Sequence, residues 1–189
     1  MSKRYEMRFT GSGGQGVSRA SVILAEAAIL SGMQAIQSQA YGPEARGGMS
    51  RAETILSHDR IWFSKVISPN FLLALTQKSL DNYAQNVAHG AVVMIDSTLT
   101  IPAGLDSERV ISIPILATAK DKVGKSMTAN IVAVGAVNTA LGIFDEKTLQ
   151  EAVKRHIPRG TEELNMRALA EGEKLMAAYP AGRFRQDIA

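Results

Sequence analysis

The chain has 189 residues, 46% of them apolar and 21% charged, with a formal net charge of +3 and no cysteine. That length suits one domain over residues 1–189 burying roughly 70% of its unfolded surface, and the missing cysteine excludes disulfides, thiolate metal sites, cysteine nucleophiles and the usual ligands of iron–sulfur clusters. No run approaches the roughly 18 apolar residues of a membrane span, the first residues lack a signal-peptide core, and the scattered Lys and Arg form no aromatic-laced basic stripe, so a cytoplasmic protein without a nucleic-acid surface is expected.

Tyr5, Met7 and Phe9 alternate with Glu6 and Arg8, which predicts a strand that the run Gly11-Ser12-Gly13-Gly14-Gln15-Gly16 ends. A helix follows over Val17–Leu30, apolar around much of its circumference, with Gly32 just beyond its end. Residues 33–39 and 50–57 read as strands, and Phe71–Leu75 as a fully buried strand of the kind parallel sheets use. A helix from about Gln77 to Val87, a strand over Ala91–Ile95 closing at Asp96, and a strand over Val110–Ile115 broken by Pro114 come next. Lys120–Gly124 reads as a short turn, Ser126–Ile143 as a long small-residue helix, and 146–156 and 161–178 as two amphipathic helices, before a polar tail at Gly182–Arg185. Strands alternating with helices imply an α/β, Rossmann-like, mostly parallel sheet with helices on both faces and extra C-terminal helices, and ligands at the carboxyl ends of the strands.

Gly11, Gly13 and Gly16 fit the spacing Gly-x-Gly-x-x-Gly between a strand and a helix, where glycines permit a tight turn and bring backbone N–H groups close to a phosphate. The loop alone leaves two readings of equal weight, phosphate contact and close strand–helix packing. NAD is disfavoured, because the end of the second strand offers Gln37-Ser38-Gln39-Ala40 where a ribose-binding acid belongs. A second loop, Tyr41-Gly42-Pro43-Glu44-Ala45-Arg46-Gly47-Gly48, follows that strand directly and is expected at the same sheet edge, with Arg46 near the helix N-terminus; taken alone, the safer reading is an ordered turn in which Arg46 pairs with Glu44 or Glu53. His58, His89 and His156 stand apart without metal-ligand spacing and are expected at the surface or at element ends. Trp62-Phe63 reads as ordinary core, with partner anchoring the less common alternative. Ala129, Ala133, Gly135, Ala136 and Ala140 leave the long helix small-sided, open to close approach by its own fold, the commoner reason, or by a partner.

Taken together, GSGGQGV at 11–17 and YGPEARGGMSRAE at 41–53, with their spacing, closely resemble the paired signature of the gamma subunit of 2-oxoacid:ferredoxin oxidoreductases. The segment Ser126–Ala136 resembles that family's later helix, in which an asparagine precedes a small-residue apolar run, so the likeness spans essentially the whole chain. It implies a subunit of an enzyme that converts a 2-oxoacid and coenzyme A to an acyl-CoA and CO2 and passes electrons to ferredoxin. It further implies that thiamine diphosphate and iron–sulfur clusters sit on alpha and beta partners, or on a ferredoxin-like delta subunit, with none bound by this chain alone. Under the resemblance Gly11, Gly13, Gly14, Gln15, Gly16, Arg46, Gly47 and Asn130 are the cofactor-binding candidates, shaping the coenzyme A approach, and no residue is catalytic. The variant Tyr-Gly-Pro-Glu-Ala-Arg-Gly-Gly looks more like 2-oxoglutarate enzymes than pyruvate enzymes, with branched-chain or aryl 2-oxoacids ranked second. A free-standing nucleotide- or coenzyme-A-binding protein and a nicotinamide-dependent dehydrogenase are the rivals.

Overall fold

The computed structural model describes residues 3–41 and 48–179. Its centre is a six-stranded sheet of order β2-β3-β1-β4-β5-β6, built from β1 (Arg4–Ser12), β2 (Gln34–Tyr41), β3 (Met49–Ser57), β4 (Phe71–Ala74), β5 (Val92–Asp96) and β6 (Val110–Ile113). β1, β4, β5 and β6 pair in parallel, whereas β3 runs antiparallel to both β1 and β2. Five strands therefore point one way and β3 alone is reversed. The cause is connection length. Only residues 42–48 separate β2 from β3, and a parallel crossover takes about a dozen residues or more, so the two strands pair antiparallel.

Helices α1 (Val17–Leu30) and α4 (Ala129–Leu141), the latter reached through the short α3 (Ile115–Ala117), cover one face, burying Tyr5, Met7, Phe9, Leu73, Met94 and Ile111 against Ile23, Leu24, Val132 and Ala136. Outside them lie α5 (Glu146–His156) and α6 (Glu162–Leu175), held through Leu149, Val153, Ala168 and Leu169. The other face carries α2 (Gln77–Tyr83), whose Leu80, with Ala84 just after it, meets Leu72, Ala74, Val93, Ile95 and Val110. β4 and β5 are thus apolar on both sides, which is why each reads as a continuous hydrophobic run.

On that second face an irregular stretch, residues 58–70, crosses β1 beside α2. It is pinned by Arg4 Nη2 to the Phe63 carbonyl (3.1 Å), Arg8 Nη2 to the Val66 carbonyl (3.0 Å) and the Asn70 N–H to the Glu6 carbonyl (2.9 Å). Arg8 is buried and also meets Glu53 at 2.8 Å beneath the Tyr83 ring. The core reading of Trp62-Phe63 is overturned here. The stretch turns Val66 inward and leaves Trp62 80%, Phe63 52% and Ile67 69% exposed.

The small side of α4 faces its own fold. A Cβ on Gly172 of α6 would stand 2.0 Å from the Val132 carbonyl oxygen, and one on Gly135 of α4 would stand 2.3 Å from that of Leu169, so the two backbones touch without intervening side chains. Among the described residues no helix is long and apolar enough to cross a membrane.

Candidate functional site

Pairing of Ser12 with Met49, and of Tyr41 with Ser50, sets the end of β1 beside both ends of the β2–β3 connection. The first loop and the return into β3 are joined by the Gly13 N–H, which donates to the Gly48 carbonyl at 2.9 Å. The shared edge expected for the two loops is therefore observed at Tyr41 and Gly48, while residues 42–47, with Arg46 and Gly47, lie outside the described residues.

The glycines of the first loop serve distinct purposes. Gly11 is buried, and a Cβ there would lie 2.5 Å from Gln15 Oε1. That oxygen accepts from the Ser12 N–H at 2.7 Å, so Gln15 braces the turn. The Gln15 N–H goes to the Ser12 carbonyl at 3.2 Å. Gly14 and Gly16 adopt φ of 97° and 73°, the left-handed region that favours glycine, and their amides make no hydrogen bond among the described residues. Gly16 is also the residue on which α1 begins, and α1 has neither a side-chain cap nor an acidic residue in its first turn. Its leading N–H groups, at the positive end of the helix dipole, face the loop side.

Asn130, in the first turn of α4, closes the opposite side. It is 4% exposed, and a Cβ on Gly16 would stand 2.9 Å from its Nδ2, so only glycine lets the loop come this close. Asn130 borders a cavity of about 590 Å³ that Gly13, Gly14, Gly16, Arg19 and His156 also line. A second cavity of about 470 Å³, lined by Gly14, Gln15 and Lys120, adjoins it at Met127. The structure thus brings together Gly13, Gly14, Gly16 and Asn130 at one wall, with Gln15 behind the turn and Gly11 packed beneath it.

Two members of the site escaped the sequence reading. Arg19 lies in the first helical turn, three residues after Gly16, where its exposed guanidinium reaches the same cavity; that spacing was legible. His156, the last residue of α5, arrives through packing of α5 on α1, which no local pattern announces. Its Nε2 is buried without a hydrogen bond, 3.6 Å from Glu26 Oε2, while Arg155 holds Oε1 of the same carboxylate at 2.8 Å. His58 and His89 are exposed, as expected. Chemically, the wall offers backbone amides, a guanidinium and a neutral amide around a mouth wide enough for a phosphate-bearing ligand; among the described residues no group of three His, Asp or Glu side chains could hold a metal ion.

Residues 6–175 match the family described as pyruvate ferredoxin/flavodoxin oxidoreductase. The 2-oxoglutarate synthase subunit KorC of Methanothermobacter marburgensis is 40% identical over 180 residues, 92% of this chain and 97% of that one. The solved keto/oxoacid ferredoxin oxidoreductase gamma subunit of Geobacter sulfurreducens superposes with a TM-score of 0.81 at 40% identity, covering 93% of this chain and 97% of its own. The ketoisovalerate oxidoreductase subunit VorA of Methanothermobacter thermautotrophicus is 39% identical over 150 residues, 78% of this chain but 31% of VorA.

Proposed function

Because the chain belongs to the pyruvate ferredoxin/flavodoxin oxidoreductase family and is a subunit of a 2-oxoacid:ferredoxin oxidoreductase, we propose that its enzyme converts 2-oxoglutarate, coenzyme A and oxidised ferredoxin to succinyl-CoA, CO2 and reduced ferredoxin, and that this chain receives the phosphate-bearing part of coenzyme A. The 2-oxoglutarate preference is supported by the KorC relative, which aligns over more of both chains than VorA does. The chain supplies no thiolate for a cluster, having no cysteine. Thiamine diphosphate, the clusters and the electron path to ferredoxin are accordingly assigned to alpha, beta and delta companions, which would supply the decarboxylation and redox chemistry.

The observation that carries the reading is Asn130, 4% exposed and at the cavity wall, set against Gly16 where α1 starts uncapped. In this arrangement the amides of Gly14, Gly16 and the first turn of α1 meet phosphate oxygens, Arg19 adds the positive charge, and Asn130 bonds the adjoining polar group. Gly13 and Gln15 keep the turn in shape through their own bonds to Gly48 and Ser12. Arg46 and Gly47 join the proposal through the family likeness of the second loop.

The test is steady-state kinetics of the assembled enzyme. Asn130→Ala, Arg19→Ala and Arg46→Ala are each expected to raise KM for coenzyme A while leaving KM for 2-oxoglutarate unchanged. Three unchanged coenzyme A constants in an intact complex refute the binding role, and turnover of 2-oxoisovalerate in preference to 2-oxoglutarate refutes the substrate.

A further inference from the structure

Trp62, Phe63 and Ile67 stand within six residues of one another on the irregular stretch that crosses β1, and they are 80%, 52% and 69% exposed. Together they present roughly 400 Å² of apolar surface, taking about 150–250 Å² for each aromatic side chain. A single exposed side chain of this kind is ordinary, whereas three large apolar side chains exposed within six residues of one stretch are what a contact surface supplies. The backbone under it is not loose. Arg4 and Arg8 hold the Phe63 and Val66 carbonyls, Val66 and Pro69 are buried, and the Arg60 guanidinium lies 4.2 Å from the centre of the Trp62 ring. Such a ridge meets a partner with little ordering left to do.

We infer that this ridge is the seat of a companion subunit of the same oxidoreductase, presenting an apolar socket with an acidic rim. The inference rests on the subunit reading above and adds where the partner sits. Three observations select that occupant. VorA carries this unit as 31% of a longer chain, so in that relative the domain is joined to further protein that this chain has to recruit across a surface. Within residues 58–70, Arg60 and Lys65 flank the apolar centre against Asp59 as the only carboxylate, which complements an acidic rim. The ridge area is about half of the roughly 800 Å² per partner that a stable interface buries, which suits the anchor of a larger contact. The stretch begins after Ser57, which pairs with Arg4 at the start of β1, whereas the glycine loop leaves the other end of β1. A partner seated there leaves the cavity mouth open.

The experiment co-expresses the full chain with its companion subunits and measures complex composition by native mass analysis. The double variant Trp62→Ser/Phe63→Ser is expected to weaken assembly at least tenfold, and Lys65→Glu to weaken it in a way that added salt diminishes. Trp62 is the only tryptophan, so 5-fluorotryptophan carried by this chain alone reports the ridge in the unsubstituted protein. Its fluorine resonance is expected to lose its H2O/D2O solvent shift on reconstitution. A double variant that assembles like the wild type, or a solvent shift retained in the complex, overturns the ridge and leaves the subunit reading standing. A wild-type chain that fails to join the companions overturns both.

Discussion

Gly172→Ala separates two opposing expectations by their sign. Helix propensity alone favours alanine over glycine in a helix interior by about 1 kcal/mol. Here the added methyl would lie 2.0 Å from the Val132 carbonyl oxygen, 2.8 Å from its carbon and 3.1 Å from the Ala136 nitrogen. Carbon and oxygen rest no closer than about 3.3 Å, so relief demands a separation of α4 and α6 of more than about 1 Å. All three neighbours are backbone atoms and cannot rotate away. Overpacking of a well-filled interior costs about 1–3 kcal/mol and occasionally more, and this contact lies at the severe end because the shift also loosens Ala168 and Leu169, both buried against α4. The expected net loss is about 2 kcal/mol after the propensity gain. For a chain of this size that lowers the thermal midpoint by roughly 4–8 °C, read by circular dichroism or calorimetry. Gly135→Ala, with its methyl 2.3 Å from the Leu169 carbonyl, is expected to behave alike. A midpoint that stays level or rises in both variants refutes the backbone-to-backbone contact.

Gly16→Ala is expected to lower stability by about 1–2 kcal/mol, because φ is +73° and the new methyl would press on Asn130, and to raise KM for coenzyme A in the assembled enzyme; a normal KM separates the loop from the ligand. Arg8→Met leaves the Glu53 carboxylate, 12% exposed, with only the more distant Arg51 at 3.7 Å among the described residues, and should cost about 3 kcal/mol in urea unfolding. The Asp145 carboxyl is held below its ordinary value of 3.8 by the Thr148 N–H and hydroxyl that cap α5. A lowered carboxyl pKa gives stability that is present above the unfolded value and lost as pH falls through the folded one, so Asp145→Ala should flatten the stability profile below pH 3.8 and no higher. Sensitivity of that variant confined to neutral pH would contradict the assignment.

Much of the architecture was legible because local chemistry and tertiary packing agree. Residues 146–156 form α5 as expected, with Asp145 as the cap and Leu149, Ala152 and Val153 on one buried stripe. Phe71–Ala74 and Val92–Ile95 were legible because burial on both faces writes itself as uninterrupted apolar residues, with Asp96 closing the second. Boundaries shifted where helices fray into tighter turns: 126–128 is a 3-10 turn ahead of α4, and α2 passes into another at 84–86. The reversal of β3 had to come from connection length, since alternation within a strand is blind to its direction. Trp62 and Phe63 misled because apolar character predicts burial in a chain alone, whereas an exposed aromatic pair is intelligible only with a second surface in view. At the site, the loop glycines and Asn130 could be picked out by spacing and likeness, but that Gly16 and Asn130 touch depends on how α1 and α4 lie over the sheet.

The lock between α4 and α6 governs more than stability. Because the helices register on main-chain atoms at Val132 and Leu169, the depth at which α4 sits, and with it the position of Asn130 two residues before Val132, is insensitive to which side chains α6 carries elsewhere. The outer helix is therefore free to be resurfaced, by drift or by design, for new neighbours, while the cavity wall at Asn130 keeps its dimensions.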